Sequence, residues 1–327
     1  MSLHQITIGH HALKESLIHY LQGNPQTNTL LFAGPPGSGK SYFLKAFAQD
    51  FLCMGNSGIA CGHCESCRGF LTGTIPDFIE CNSQKNPIKI QQIRDLQKDA
   101  LMHPVFSNKK LIVLYGADSL TMEASNALLK MLEEPSASTC FVLETSMPDK
   151  ILNTIRSRSV LFRFQPYSCS EIKSILEESG LEEDSQKREL LSFLANGNAH
   201  RAFKLCNNDY FSTRVEYCSK FGTIIIEEDA IPSFPRKMEK KELCDFIFES
   251  QSILEDAIRY NLHREDQVKN KDQIQLIQAI QESFPLPTIV ELQEILLQCE
   301  QMTDSSGILA NKILLKIIMD CKKLLFF

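Results

Sequence analysis

At 327 residues the chain is too long for one ordinary hydrophobic core, so two or three domains are expected. With 43% hydrophobic and 23% charged residues it reads as globular, and a formal charge of −6 speaks against strong free-standing nucleic-acid binding, though a local or partner-supplied basic face stays open. No apolar run approaches the ~20 residues that span a bilayer, and Met1-Ser2-Leu3-His4-Gln5 opens neither a signal nor a transit peptide, so a cytoplasmic protein with no membrane partner is expected.

The first chemical signal follows the β-prone run Leu30 to Ala33. Gly34-Pro35-Pro36-Gly37-Ser38-Gly39-Lys40-Ser41 fills every fixed position of the phosphate-cradling pattern G-x-x-x-x-G-K-[ST], and the helical pattern Tyr42 to Ala48 comes next. Strand, loop and helix are in the order that such a loop needs; the bland alternative is a Gly/Pro turn between the two elements. In the cradle reading, backbone N–H groups turn inward on phosphate oxygens, and the helix N-terminus adds partial positive charge. Lys40 reaches the β/γ-phosphates and the Ser41 hydroxyl ligates Mg2+, so ATP or ADP with Mg2+ is the expected ligand.

Cys53, Cys61, Cys64 and Cys67 follow with the spacing C-x7-C-x2-C-x2-C. Four thiolates close a tetrahedral structural Zn2+ site and leave no open position for catalysis. The alternatives are four reduced cysteines in a loop or redox chemistry, for which the surroundings give no context; His63 is expected to be a neighbour and not a ligand. The other eight of the 12 cysteines are scattered and are expected to be small buried apolar residues.

Pro76 to Cys81 reads as a second strand, and Ile88, Ile90, Ile93 and Leu96 as an amphipathic helix that ends before His103-Pro104. Lys109 to Tyr115 reads as a buried third strand, whose end in a P-loop ATPase holds an acidic Mg2+ ligand; here the chain reads Tyr115-Gly116-Ala117-Asp118. Ala124, Ala127, Leu128, Met131 and Leu132 recur at helical spacing and Pro135 is expected to stop that helix. Cys140 to Leu143 gives a fourth strand, ending at Glu144-Thr145-Ser146, and Val160 to Phe164 a fifth, so an α/β domain with a parallel sheet and helices on both faces is predicted. Strand signals stop at Gln165. The remainder is helical and is interrupted by a polar stretch from Glu227 to Glu239 that holds Pro232 and Pro235.

The P-loop, the four-cysteine insertion behind it, the run Asn126-Ala127-Leu128-Leu129-Lys130-Met131-Leu132-Glu133-Glu134-Pro135 and Ile155-Arg156-Ser157-Arg158 together resemble bacterial DNA polymerase III clamp-loader subunits of the AAA+ family. The resemblance covers nearly the whole chain. It implies a RecA-like domain over 1–165 with its zinc module near 53–67, a helical lid over 166–226 and a helical collar over 227–327. It also implies a pentameric ring with gamma/tau and delta subunits that loads a sliding clamp onto primer-template DNA.

Two members of that family are close, the gamma/tau motor and the nonmotor delta-prime subunit. Motor subunits end the third strand in Asp-Glu; with the Asn126 helix aligned, those positions fall on Tyr115 and Gly116, and a phenol and a hydrogen cannot replace two carboxylates. Asp118 lies past the strand end and on the opposite pleat. The lid arginine of motor subunits aligns with His200, one position from Arg201. Arg158, in Ser157-Arg158-Ser159 where the family has Ser-Arg-Cys, matches the arginine finger that reaches a neighbour's ATP site. The expectation is therefore a delta-prime-like subunit that binds nucleotide without hydrolysing it and supplies Arg158 in trans. The alternative is a gamma/tau-like motor ATPase; a small-molecule P-loop kinase would leave the zinc cluster and the long helical C-terminus without a purpose.

Overall fold

Lys40 to Leu52 forms a helix because the P-loop glycines end the strand before it and Phe43, Leu44 and Phe47 recur on one face, which is buried. The computed structural model describes residues 2–23, 27–55, 58–82, 87–133, 138–182, 184–206, 209–235, 238–305 and 309–326. The chain divides into two compact units, the first comprising residues 1–179 and 195–201, the second 180–194 and 202–327.

In the first unit, β1 (Thr29–Ala33), β2 (Phe78–Asn82), β3 (Lys110–Tyr115), β4 (Thr139–Thr145) and β5 (Val160–Arg163) form a five-stranded sheet in the order β2-β3-β4-β1-β5, with every described pairing parallel. Its helices are α1 (His11–Gln22), α2 (Lys40–Leu52), α3 (Glu65–Thr72), α4 (Ile90–Leu101), α5 (Met122–Glu133), α6 (Asn153–Arg156) and α7 (Cys169–Ser179). Alternate strand residues serve opposite faces. Leu30, Phe32, Leu111, Val113, Cys140 and Val142 pack with Phe43, Leu44 and Phe47 of α2, whereas Leu31, Ile112, Leu114, Phe141 and Leu143 pack with α4 and α5. This is the doubly wound α/β class expected. Pro135, expected to end α5, lies outside the described residues.

The second strand starts later than its apolar pattern suggests. Pro76 and Asp77 are in a turn before β2, because proline offers no N–H to a ladder and the Asp77 carboxylate is engaged elsewhere. It is fully buried and accepts the N–H groups of Val105, Phe106 and Ser107, each at 2.7 Å, fixing the entry into β3. Asp77→Asn turns an amide N–H toward one of these donors and is expected to lower stability by roughly 2–4 kcal/mol, read as a lower urea midpoint at unchanged m-value. At the start of β3, buried Lys110 donates to the carbonyls of Asp99 and Met102 at the end of α4, at 2.6 and 2.8 Å.

The second unit is helical. It contains α8 (Ser185–Leu194), most of α9 (Ala199–Leu205), α10 (Asp209–Ile226), α11 (Lys240–Asn261), α12 (Ile274–Ser283), α13 (Leu286–Ser305) and α14 (Ala310–Phe326). Phe221, Phe246, Leu254, Ile280, Leu292, Leu296 and Ile317 share one core. A buried polar network crosses it: the Arg214 guanidinium bonds Glu249, Asn270 at 2.7 Å and Asp272 at 3.0 Å, so the charge is paired in place. No described helix is long and apolar enough to cross a membrane.

Candidate nucleotide and metal sites

The cradle begins where β1 ends. A Cβ on Gly34 would sit 2.4 Å from the Phe164 carbonyl oxygen, so only glycine lets the loop leave the sheet here. Gly37 and Gly39 hold left-handed backbone at φ +73° and +88°, and a side chain on either would also strike Asn198 or Tyr167. The loop is held from outside by Ala199, whose N–H donates to the Gly37 carbonyl at 3.0 Å, and by His10, whose Nε2 lies 2.9 Å from the Ser38 carbonyl. A carbonyl only accepts, so Nε2 carries the proton; burial holds His10 below its usual pKa and favours that neutral tautomer.

Phe43 N–H is the first in α2 to find a helical carbonyl, that of Gly39 at 3.0 Å. The N–H groups of Lys40, Ser41 and Tyr42 therefore have no partner within the helix and are available to phosphate oxygens. Lys40 is buried and folds back on its own loop, donating to the Gly34 and Pro35 carbonyls at 2.7 and 2.9 Å. Pro35 O also accepts from the Ser38 hydroxyl at 2.8 Å, and Pro36 completes the turn. The residues from Gly34 to Ser41 are thus brought together as the sequence pattern requires. They fit a nucleotide phosphate chain, whose oxygens would replace the two loop carbonyls as partners of the Lys40 ammonium.

The end of β3 carries no carboxylate. Tyr115 shares the α2 face but donates its phenol to Glu80 at 2.8 Å, and burial raises its pKa, so the oxygen stays protonated. Gly116 carries no side chain. Asp118 sits in the following turn, where it accepts the Thr145 hydroxyl at 2.6 Å and the Ser146 N–H at 3.2 Å. His200 is exposed on α9, and Arg201 donates its N–H to the Asn198 side chain at 2.9 Å. A carboxylate that the strand pattern alone does not mark as functional stands beside the cradle. Glu144 is 3.3 and 3.4 Å from the Ser41 hydroxyl and 3.9 Å from Lys40 Nζ.

Cys53 caps α2, Cys64 caps α3 and Cys67 lies in its first turn, so two helix ends and the loop between them converge the four sulfurs to within 4.8 Å of one another. A tetrahedral zinc with Zn–S bonds of ~2.3 Å requires sulfurs about 3.8 Å apart, so this group can hold a metal such as zinc with little movement. Backbone N–H groups of Cys61, Cys64 and Cys67 already point at the preceding sulfurs at 3.3, 3.4 and 3.4 Å, the arrangement that stabilises thiolate charge. Those of His63 and Cys64 hold the Cys61 thiol down near 6, while burial pushes Cys67 up to about 12. His63 turns its Nδ1 to the Cys61 carbonyl at 2.9 Å and stays outside the set. All the cysteines are free, and five of the eight scattered ones are buried.

Arg158 follows α6 on the turn into β5. Its Nη2 is 3.0 Å from Glu133 on α5, its Nη1 donates to the Thr154 carbonyl at 3.0 Å, and about 40% of the side chain is exposed. Arg156 pairs instead with the exposed Asp149 at 3.4 Å.

The family model described as DNA polymerase III, delta subunit, matches residues 9–168, and the model for the C-terminal part of that subunit matches 241–319; together they take in more than two thirds of the chain. The chain belongs to the DNA polymerase III delta subunit family. Within this family it is similar to subunit delta' of Bacillus subtilis (28% identical, 80% of each chain) and of Pseudomonas aeruginosa (26% identical, 94% of this chain and 95% of the relative). It is also similar to subunit tau of Bacillus subtilis, at 29% identity over 68% of this chain but 39% of tau. The delta subunit family therefore accounts for both the P-loop unit and the helical C-terminal stretch.

Proposed function

We propose that the chain is a delta-prime-like, nonmotor subunit of the DNA polymerase III clamp loader. The observation that carries the reading is a complete phosphate cradle beside a third strand that ends at Tyr115 and is followed by Gly116, with the phenol turned to Glu80. Such a site binds nucleotide without a carboxylate on β3 to polarise the attacking water. End-to-end similarity to delta' relatives, against partial coverage of tau, supports the same choice.

In this reading the chain works in the cytoplasm in a pentameric ring with gamma/tau and delta subunits. That ring opens the sliding clamp and closes it on primer-template DNA. Residues 1–165, 166–226 and 227–327 serve as ATPase-like domain, lid and collar; Cys53, Cys61, Cys64 and Cys67 hold a structural zinc; and Arg158 serves a neighbouring ATP site.

Mixing the purified chain with gamma/tau and delta subunits tests the assignment, since a stable assembly that loads the clamp is expected only with this chain present. The isolated chain should turn over ATP no faster than its Lys40→Ala variant while binding ADP or ATP more tightly than that variant does. A clear Lys40-dependent ATPase activity would move the assignment to the motor class.

A further inference from the structure

We infer that Glu144 is the acidic partner of Ser41 in a Mg2+–nucleotide site, placed on β4 in the role of the carboxylate that β3 lacks. The inference rests on the reading of residues 34–41 as a nucleotide cradle and assigns its metal side.

Sheet geometry carries the assignment. Leu114 of β3 pairs with Leu143 of β4, so Tyr115 and Glu144 are the next positions on neighbouring strands. Both stand on the α2 face: Glu144 is two residues beyond Val142, which packs in the α2 core, and Tyr115 packs against that same core. β4 lies between β3 and β1, and Glu144 is in register with Phe32, two residues before the cradle starts. Moving the carboxylate from β3 to β4 thus brings it one strand closer to the loop, and both of its oxygens reach the Ser41 hydroxyl.

Neither of the other groups reaches Ser41 in the same way: Oδ1 of Asp118 accepts from Thr145 and Ser146, and the Tyr115 phenol donates to Glu80. The Glu144 carboxylate and the Ser41 hydroxyl together offer oxygen donors beside Lys40, the kind of ligand that a divalent ion takes when it also touches phosphate. Without that ion, a carboxylate beside Ser41 repels the phosphate chain. Glu144 should therefore make nucleotide affinity depend on Mg2+.

The test is calorimetric titration of ADP, and separately ATP, into the full chain in excess Mg2+ and in excess EDTA. The native chain is expected to bind at least about tenfold more tightly with Mg2+, the size of effect that one close charge exerts. Glu144→Gln, which keeps the shape and removes the charge, should bring the two affinities to within about twofold, mainly by weakening the Mg2+ form. Glu144→Asp should recover part of the difference. A Glu144→Gln chain that keeps the full Mg2+ dependence overturns the inference. So does one that binds more tightly by the same factor with and without Mg2+, because the carboxylate would then merely fill the cradle. Absence of binding by the native chain in both conditions overturns the cradle reading itself, whereas in the two preceding outcomes native binding persists. If Glu144→Gln does not fold, Glu144→Ala is read by the same criteria.

Discussion

Metal analysis of the purified chain is expected to find one zinc per molecule, and Cys64→Ser to lose both the ion and the order of residues 58–67. Cys64 has two roles in the fold, since its sulfur accepts the Cys67 N–H at 3.4 Å as the cap of α3 and also belongs to the converging set. Serine keeps the cap, because its hydroxyl can accept the same N–H, so the substitution removes the metal ligand alone, and a structural zinc contributes on the order of 10 kcal/mol to ordering its module. Asp50 holds the other end of the loop, accepting Ala60 N–H at 2.7 Å and Leu3 N–H at 2.8 Å, so the damage should stop near that anchor. Limited proteolysis and hydrogen exchange should show new cleavage and lost protection within 58–67, with helices α11 to α14 protected as before. Far less than one zinc per chain, with all four thiols titrating as free, would remove the metal assignment.

The features that were legible in the sequence are those whose determinants are local. The pattern from Gly34 to Ser41 is one contiguous run, and the four cysteines lie within 15 consecutive positions, from 53 to 67. The buried strands also announced themselves, because a strand covered on both faces is a continuous apolar run, as in Leu111 to Leu114. Glu144 was visible only as the end of a strand. Its place beside Ser41 depends on β4 lying between β3 and β1, a pairing of segments about a hundred residues apart that no local pattern encodes. Asp77 is similar: Pro76-Asp77-Phe78 reads as the start of a strand until the chain at 105–107 is brought against the carboxylate. The loss of the motor carboxylates could be read in advance only because the Asn126 helix fixed the alignment of Tyr115 and Gly116.

In a reconstituted loader, Arg158→Ala should depress the ATPase stimulated by DNA and clamp, while assembly and ATP binding change little. A finger acts on the charge that grows on the γ-phosphate in the transition state, and at the site it serves its loss costs roughly 10^3 to 10^5 in rate. Only one motor site borders this arginine in the proposed ring, so total turnover should fall by no more than that site's share unless firing around the ring is coupled. Clamp loading can then fall further than ATP turnover. The side chain is free to take up this task at small cost, because its present bond to Glu133 joins two groups that are 40% and 50% exposed, and such pairs contribute at most about 1 kcal/mol. Arg156→Ala is the matched control: that side chain pairs with an Asp149 that is 95% exposed, so its loss should leave the ATPase within about twofold of normal. Neither substitution should affect the isolated chain. Equal effects of the two in the assembly, or full loading with Arg158→Ala, would leave the finger assignment without support.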